Sequence, residues 1–352
     1  MLFFKPKKTS MEKEIFEQSD ILAHLFETYV SDDGEILVDV PKGIEHIVFV
    51  ASGSSYNSAR YAADLFGDIA SIEARAIYSS EFLLKSAVPH ATDMMYVFIT
   101  QSGETSDTNK ALSKAKEFGV TTFCITNKKD STIWQASDFK MDCHAGEELS
   151  IAATKSLTAQ MFCLAMLVLK YAKLNGIDIT PYLKAFSTIG KDIEKSYALM
   201  PQVKKFAKHI ARYKNVVIAA DGISYALARE ACLKTKETSY INISSAILGE
   251  FMHGHVAVLN NKSILIYITN SELNYTAIKN LNKIKEEYKT TMCILGSPND
   301  KIKTEYNLNV DCESSVVKSF CLIVIAQMLA MEVAKCLHRN VDKPHGLHKV
   351  VK

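Results

Sequence analysis

Continuous apolar runs alternate with amphipathic segments along most of this chain. Typical runs are IVFVA at 47–51 and MYVFI at 95–99. Parallel strands that are covered by helices on both faces have such uninterrupted apolar sequences. The pattern predicts five strands in the first half, near 46–51, 73–78, 95–100, 121–126 and 139–143. It predicts helices between them, near 56–68, 81–87, 105–118 and 131–135.

The same alternation occurs a second time at a fixed offset of 169 residues. Residues 47–60 read IVFVASGSSYNSAR and residues 216–229 read VVIAADGISYALAR, so both carry G-x-S-Y-x-x-A-R after an apolar run. TTFCI at 121–125 similarly recurs as TTMCI at 290–294. A fixed offset across separate strands indicates a duplicated domain. Its strands are predicted near 215–220, 241–244, 263–268, 291–295 and 307–310.

Alternation of strands and helices with short turns predicts an α/β protein. We expect two doubly wound αβα sandwiches, each with a mainly parallel five-stranded sheet. The predicted order is an N-terminal helical segment (1–30), a first domain (31–178), a helical connector (179–211), a second domain (212–340) and a C-terminal tail (341–352). Long helices at 151–174 and 314–338 are expected to close the two domains. The connector has no Gly/Ser-rich linker, so the halves should pack rigidly.

Composition narrows the class of protein. The 352 residues are 48% hydrophobic and 23% charged with a net charge of +2, which favours a soluble protein without a broad nucleic-acid-binding surface. We expect no membrane span, since no run reaches roughly 18 to 20 apolar residues, and no signal peptide. The eight cysteines are scattered without a C-x-x-C motif, which favours reduced thiols and a cytoplasmic location.

Two hydroxyl-rich turns are candidate anion sites. TQSGETSDT at 100–108 and SGSSY at 52–56 each follow an apolar strand and open a helix. Backbone N–H groups at a helix N-terminus attract anions, although serine and threonine also serve as plain helix caps. Neither turn contains lysine or arginine, so a phosphate would be held by neutral donors. The absence of G-x-x-x-x-G-K-S/T disfavours nucleotide hydrolysis. The second copy reads ITNSELNYTA and lacks the glycine.

Two further pairs of residues are candidates for catalysis or metal binding. Lys234 and Glu237 are three residues apart, so they share a helix face, as a surface ion pair or a catalytic pair would. His253 and His255 could bind a metal, but no acidic or cysteine ligand clusters with them. We therefore expect no metal and no cofactor.

Several motifs in order resemble the sugar isomerase (SIS) domain family. They are ASGSSYNSA, ITQSGETSDT, EELSIAATKS, LKTKETSY, GEFMHGH and DKPHGLHK. Two tandem copies resemble the isomerase half of the glucosamine-6-phosphate synthases, and the resemblance covers nearly the whole chain.

The resemblance implies roles for four residues. Glu237 matches a carboxylate that moves a proton between C1 and C2 of the sugar, and Lys234 could stabilise the enolate-like intermediate. His253 matches a histidine that opens the sugar ring from the neighbouring subunit, which implies a homodimer. Lys349 matches a tail lysine that forms an imine with the open-chain ketose, so the tail must fold over the site.

The remaining matched positions would bind phosphate and sugar. They are Gly53, Ser54, Ser55, Thr100, Gln101, Ser102, Thr105, Glu148, Ile151, Ala153 and His348. Ala153 replaces a serine of the family pattern, His255 replaces a proline, and the residues around Lys349, including His348, also differ. These departures surround the sugar, so the resemblance implies a phosphorylated hexose or aminosugar rather than one particular sugar.

The synthases carry a glutaminase domain that begins with cysteine after the initiator methionine, whereas Leu2 follows Met1 here. We therefore expect that this chain does not take ammonia from glutamine. The favoured hypothesis is release of an amine, by a deaminase or deglycase acting on a hexose 6-phosphate derivative. Two alternatives remain open. One is simple aldose–ketose isomerisation, and the other is a non-catalytic sensor of sugar phosphates.

Overall fold

The computed structural model describes residues 8–349, and within them it contains two five-stranded parallel sheets. The outer ends of the predicted N-terminal segment and tail, residues 1–7 and 350–352, lie outside the described residues. The strands of the first sheet are β1 (His46–Ala51), β2 (Glu73–Tyr78), β3 (Met94–Ile99), β4 (Thr121–Thr126) and β5 (Phe139–Asp142). Those of the second are β6 (Asn215–Ala220), β7 (Ile243–Ile247), β8 (Ser263–Thr269), β9 (Thr291–Gly296) and β10 (Tyr306–Leu308).

Helices cover both faces of each sheet. The first half has α1 (Ser10–Phe16), α2 (Gln18–Tyr29), α3 (Gly53–Leu65), α4 (Ser79–Leu83), α5 (Ser106–Glu117), α6 (Thr132–Ala136) and α7 (Lys155–Leu174). The connector forms α8 (Thr180–Phe186), α9 (Ile189–Tyr197) and α10 (Met200–Ile210). The second half has α11 (Ser224–Ser239), α12 (Leu248–Phe251), α13 (Tyr275–Tyr288) and α14 (Ser315–Cys336).

Strand order confirms the predicted fold class. The sheets run β2-β1-β3-β4-β5 and β10-β9-β8-β6-β7, and every pairing of named strands is parallel. The chain leaves β1 toward one edge and β3 toward the other, so a crevice opens above the carboxyl ends of these two strands. Ligands of doubly wound sheets bind at this position.

Two predicted helix starts were wrong. Helix α3 begins at Gly53 rather than near 56, so the SGSS turn is itself the first turn of the helix. Helix α7 begins at Lys155 rather than 151. The preceding residues form an irregular loop because their backbone groups bond to buried carboxylates, as described below.

The duplication is visible in strand register, with one shift. His46 pairs with Met94 in the first sheet, and Asn215 pairs with Ser263 in the second, which preserves the offset of 169. In the next strand, however, Met95 faces Thr121 whereas Ile264 faces Thr291. Strand β9, the structural equivalent of β4, therefore follows it at an offset of 170 residues rather than the 169 of the sequence match. The shift places Phe123 and Cys293 on equivalent inner faces.

One hydrophobic core joins the halves. It includes inner-face residues of both sheets, such as Phe49 and Ile218, together with α7 and α14. Met11, Ile15 and Leu22 of the N-terminal helices are fully buried in it. Smaller clusters lie on the outer face of each sheet. The halves form a continuous packed unit, because the apolar residues of both sheets meet in a single cluster.

Helices α7 and α14 are long and apolar enough to cross a membrane, which the sequence analysis did not expect. Both lie in the protein interior, and the apolar window of α14 is completely buried. A core helix of a globular protein meets the same criteria of length and composition, so these two helices are weak evidence for a membrane span.

Candidate active site

The carboxyl ends of β1 and β3 carry two helix N-termini without side-chain caps. Ser52 and Thr105 occupy the N-cap positions of α3 and α5, yet neither accepts a capping hydrogen bond. Thr105 Oγ1 instead lies 2.7 Å from Thr100 Oγ1. The hydroxyl groups therefore do not serve as plain caps. The N–H groups of both first turns have no capping side chain, and the residues of both turns line the crevice, where an anion could accept hydrogen bonds from them.

In the second copy, side chains of the turn between β8 and α13 form hydrogen bonds within the protein. Asn274, the counterpart of Thr105, caps α13 by accepting a 2.8 Å hydrogen bond from Ala277 N. Asn270, the counterpart of Gln101, donates 2.9 Å to Ser319 Oγ and receives 3.1 Å from Ser224 Oγ. These internal hydrogen bonds engage the side chains of Asn270 and Asn274 and the N–H of Ala277. In the first copy Thr105, the counterpart of Asn274, makes no capping bond. At the turn that follows the central strand, the first copy therefore leaves its helix uncapped and the second copy does not.

A cavity of about 830 Å³ lies at the uncapped turns of the first domain. Its walls come from both halves and from the tail. The sequence-predicted residues that line it are Gly53, Ser54, Ser55, Thr100, Gln101, Ser102, Thr105, Glu148, Ile151, Ala153, Lys234, Glu237, His348 and Lys349. Lys110 of α5 lines it as well and was not predicted from the sequence.

Helix α11 presents three ionisable side chains on one face. Lys234 is 1% exposed and forms an ion pair with Glu237, while its Nζ lies 3.6 Å from Glu230 Oε1. Burial alone would lower the pKa of Lys234, but Glu237 and Glu230 raise it above the ordinary value. The ammonium is therefore retained. Glu237 is the more exposed carboxylate of the two and faces the cavity.

Glu230 connects the two halves at the site. It accepts hydrogen bonds from Ser54 Oγ at 3.0 Å and from Asn57 Nδ2 at 2.7 Å, both on α3 of the first domain. Burial raises its pKa, an effect that Lys234 and the two donors partly oppose. The sequence analysis missed Glu230 and Asn57. Glu230 is four residues before Lys234 on the same helix face, and that spacing is the signal that could have found it.

The tail folds over the cavity, as the resemblance required. Lys349 Nζ donates to Glu148 Oε2 at 2.5 Å and to Ser150 O at 2.7 Å. Glu148 also accepts from the backbone N–H groups of Thr154 at 2.9 Å and Ser156 at 3.1 Å. Burial raises the pKa of Glu148, but Lys349 and the hydrogen bonds lower it more, so its net shift is downward. The buried carboxylate therefore stays ionised.

Two acidic residues that were not predicted as site residues anchor the loop and the tail. Asp342 accepts hydrogen bonds from Ser10 N and Met11 N at the start of α1, and its carbonyl accepts from Ile151 N at 3.0 Å. Glu14 on the same helix accepts from Leu149 N at 2.5 Å and Ser150 N at 3.1 Å. Residues 341–349 are consequently tied to the fold, which explains how Lys349 is held near Glu148.

His253 is separated from the other predicted residues. It is exposed on the turn after α12, and it is absent from the cavity wall of its own chain. His255 lies on the same exposed turn. Among residues 8–349, no three histidine, cysteine, aspartate or glutamate side chains are arranged to hold a metal ion.

Comparisons with known proteins agree with this architecture. Residues 43–170 and 209–335 match the SIS domain. The chain is 31% identical to the glutamine–fructose-6-phosphate aminotransferase [isomerizing] of Campylobacter jejuni, over 97% of this chain and 58% of that protein. It therefore spans less than two thirds of this relative.

Two solved structures have the same fold. The C-terminal domain of the glucosamine-fructose-6-phosphate aminotransferase from Francisella tularensis superposes with a TM-score of 0.89 at 25% identity, over 96% of this chain and 99% of that one. A glucosamine-6-phosphate deaminase from Thermotoga maritima superposes with a TM-score of 0.78 at 21% identity, over 97% of this chain and 99% of that one.

Proposed function

The chain belongs to the SIS domain family, and from that premise we propose that it is an enzyme of the phosphosugar isomerase type that releases an amine from a hexose 6-phosphate derivative. The substrate is an aminosugar phosphate or a fructosamine phosphate. For an aminosugar phosphate, the products with water are a ketose phosphate and ammonia.

One observation carries the proposal. The cavity combines uncapped helix N-termini at one end with the Lys234–Glu237 and Lys349–Glu148 pairs at the other. A phosphate bound at the helix N-termini would direct the sugar carbons toward these charged groups. An aldose–ketose interconversion needs one group that removes a proton and returns it to the adjacent carbon. Glu237 is placed for this role because its carboxylate faces the cavity.

Lys234 and Lys349 receive different roles. The buried ammonium of Lys234 stabilises negative charge that develops on the substrate oxygen or nitrogen during proton transfer. For an aminosugar phosphate, Lys349 in its neutral form attacks the C2 imine of the isomerised substrate and expels ammonia, and water then hydrolyses the new imine to release the ketose phosphate and Lys349. Glu148 holds Lys349 in position before the substrate enters. His253 of a second copy opens the sugar ring, so the enzyme acts as a homodimer.

We also propose a cellular location and a class of ligand for the enzyme. We place it in the cytoplasm without a membrane or nucleic-acid partner, because α7 and α14 are buried and the net charge is only +2. A phosphosugar is the expected ligand, because 97% of this chain is similar to an aminotransferase whose name specifies fructose 6-phosphate.

The test is a set of product assays on the purified full-length chain. Ammonia is measured with glucosamine 6-phosphate, amino acid with fructosamine 6-phosphate conjugates, and glucose 6-phosphate with fructose 6-phosphate. Amine release is expected from the first or second substrate. Isomerisation without amine release would favour the simple isomerase, and binding without turnover would favour the sensor. Either result would overturn the proposal.

Glu237→Gln tests the assignment of the base. We expect turnover to fall at least about 100-fold with little change in phosphosugar binding, because the amide keeps the shape of the carboxylate but cannot accept the proton. Glu194→Gln, which changes an exposed carboxylate on α9, is the matched control and should keep normal activity. Wild-type rates in Glu237→Gln would remove Glu237 from this role.

A further inference from the structure

Two thiols lie side by side at the start of α14, on an element that the proposed chemistry does not use. Cys312 is in the loop between β10 and α14, and Cys321 is in the second turn of α14. Their Sγ atoms are 3.6 Å apart, and both cysteines are free thiols. A disulfide requires a sulfur–sulfur distance of about 2.05 Å, so a displacement of about 1.5 Å would join them.

The two thiols differ in access to solvent. Cys312 is half-buried and lines a surface cavity of about 620 Å³, together with Lys184, Lys191 and Lys195. Cys321 is fully buried. A small oxidant can therefore reach Cys312 first, in a cavity whose lysines favour an anionic sulfur.

The pKa shifts of the two thiols agree with this difference in access. A hydrogen bond from the Cys321 thiol lowers the pKa of Cys312 most, and Lys195 and Lys318 lower it further, against the opposing effects of burial and Asp192. The same contact and burial raise the pKa of Cys321 well above its usual value. Cys312 is thus the better thiolate, and Cys321 is the neutral thiol beside it.

We propose that Cys312 and Cys321 are an oxidation site at which hydrogen peroxide converts the two thiols to a disulfide. The Cys312 thiolate attacks the peroxide O–O bond, which gives a sulfenic acid and releases hydroxide that takes up a proton to form water. The Cys321 thiol then attacks the sulfenic sulfur, and a second water leaves. The peroxide gains two electrons, and the two sulfurs together lose two.

The contacts around the two cysteines show which thiol moves when the disulfide forms. Cys321 is held on the helix, because its Sγ lies 3.4 Å from Asp192 O, an alternative acceptor to Cys312 for the one thiol proton, and its carbonyl accepts from Ser196 Oγ at 3.4 Å. Cys312 lies between β10, which ends at Leu308, and α14, which begins at Ser315. The loop thiol is therefore the one that moves.

Other cysteines provide internal comparisons. Cys124 is buried and its pKa is raised to about 11, chiefly by burial. Cys143 is fully buried, and burial together with the neighbouring Cys163 thiol raises its pKa well above the usual value. Cys143 and Cys163 are thus also neighbouring thiols. Because both are buried, we expect this pair to oxidise slowly despite its proximity.

The test treats the native full-length protein with hydrogen peroxide, blocks the remaining thiols, and maps the tryptic peptides by mass spectrometry. We expect a cross-linked pair of peptides, 304–318 with 319–335, and loss of two of the eight thiols. In Cys321→Ser, dimedone should label Cys312. Cys336→Ser, which removes another half-buried thiol, should oxidise at the wild-type rate.

The rates decide the outcome. The 312–321 disulfide should form at least tenfold faster than any cross-link between Cys143 and Cys163, and Cys312→Ser should abolish it. The proposal fails if wild-type protein loses thiols without this cross-link, or if the two pairs oxidise equally fast. It also fails if both thiols stay reduced while Cys336 is oxidised. All three results are read from wild-type protein and do not depend on the folding of a variant.

Discussion

At the scale of the residue, Gly103 has a conformation and surroundings that leave no room for a side chain. Its φ is +69°, and a Cβ there would lie 2.0 Å from Ser131 Oγ. We expect Gly103→Ala to destabilise the fold by about 2–4 kcal/mol, since backbone strain and the clash add together. It should also weaken binding of glucosamine 6-phosphate, because the 100–108 turn must shift. Urea unfolding and calorimetric titration measure the two effects.

Gly119→Ala is the matched control for this change. Gly119 has nearly the same φ, +68°, but nothing within 4 Å of its Cβ position, and it lies outside the cavity wall. Its replacement should cost about 1 kcal/mol from strain alone and leave affinity unchanged. Equal losses of stability and affinity in the two variants would show that the contact with Ser131 is unimportant.

The sequence specified the chemistry of individual residues better than their partners. The hydroxyl-rich turns and Lys234 could be recognised because each has a characteristic type and spacing. The contacts that Glu230 makes between the halves could not, because its donors Ser54 and Asn57 are 176 and 173 residues away in the sequence. Asp342 and Glu14 were missed for the same reason. Contacts over such separations depend on packing of the two halves, which local patterns do not describe.

At the scale of the element, the two copies use the same helix N-terminus in different ways. Asn274 caps α13 with its own side chain, whereas Thr105 leaves α5 uncapped. We expect Thr105→Asn to lower the affinity for inorganic phosphate and for phosphosugars at least about tenfold, since the new side chain would occupy the N–H groups that bind the anion. Titration calorimetry measures both ligands.

A change at the equivalent position of the second copy separates this effect from helix stability. Asn274→Ala removes the cap from α13 and should cost about 1 kcal/mol of unfolding free energy without affecting ligand binding. If Thr105→Asn bound phosphosugar as tightly as wild type, the N-terminus of α5 would not be the anion site.

Strands and helices were predicted with different success. The apolar runs located the strands of both sheets because buried parallel strands have a strong, local signature. The one-residue shift between β4 and β9 was missed, since the repeated TTFCI and TTMCI letters favour an offset of 169 whereas packing requires 170. The start of α7 was also placed too early. Hydrogen bonds to Glu148 and Glu14 hold the preceding loop, and these are not local either.

At the scale of the whole molecule, the cavity is assembled from both halves and the tail. The first domain contributes the uncapped helices, the second contributes Lys234 and Glu237, and the tail contributes Lys349. A single chain thus supplies every proposed catalytic group except His253, which is exposed on a separate turn. The duplication explains this division, because the first copy has the uncapped, hydroxyl-rich turns and the second carries the charged helix.

Mixing of inactive variants tests whether a second chain completes the site. Neither Glu237→Gln nor His253→Ala should be active alone. In random dimers of the two, half are mixed and each mixed dimer has one complete site, so about one quarter of wild-type activity should return. Mixing Glu237→Gln with Lys349→Ala should restore nothing, because these two residues line the same cavity of one chain. If the first mixture also stayed inactive although mixed dimers formed, or if His253→Ala alone kept full activity, His253 would not act across the interface.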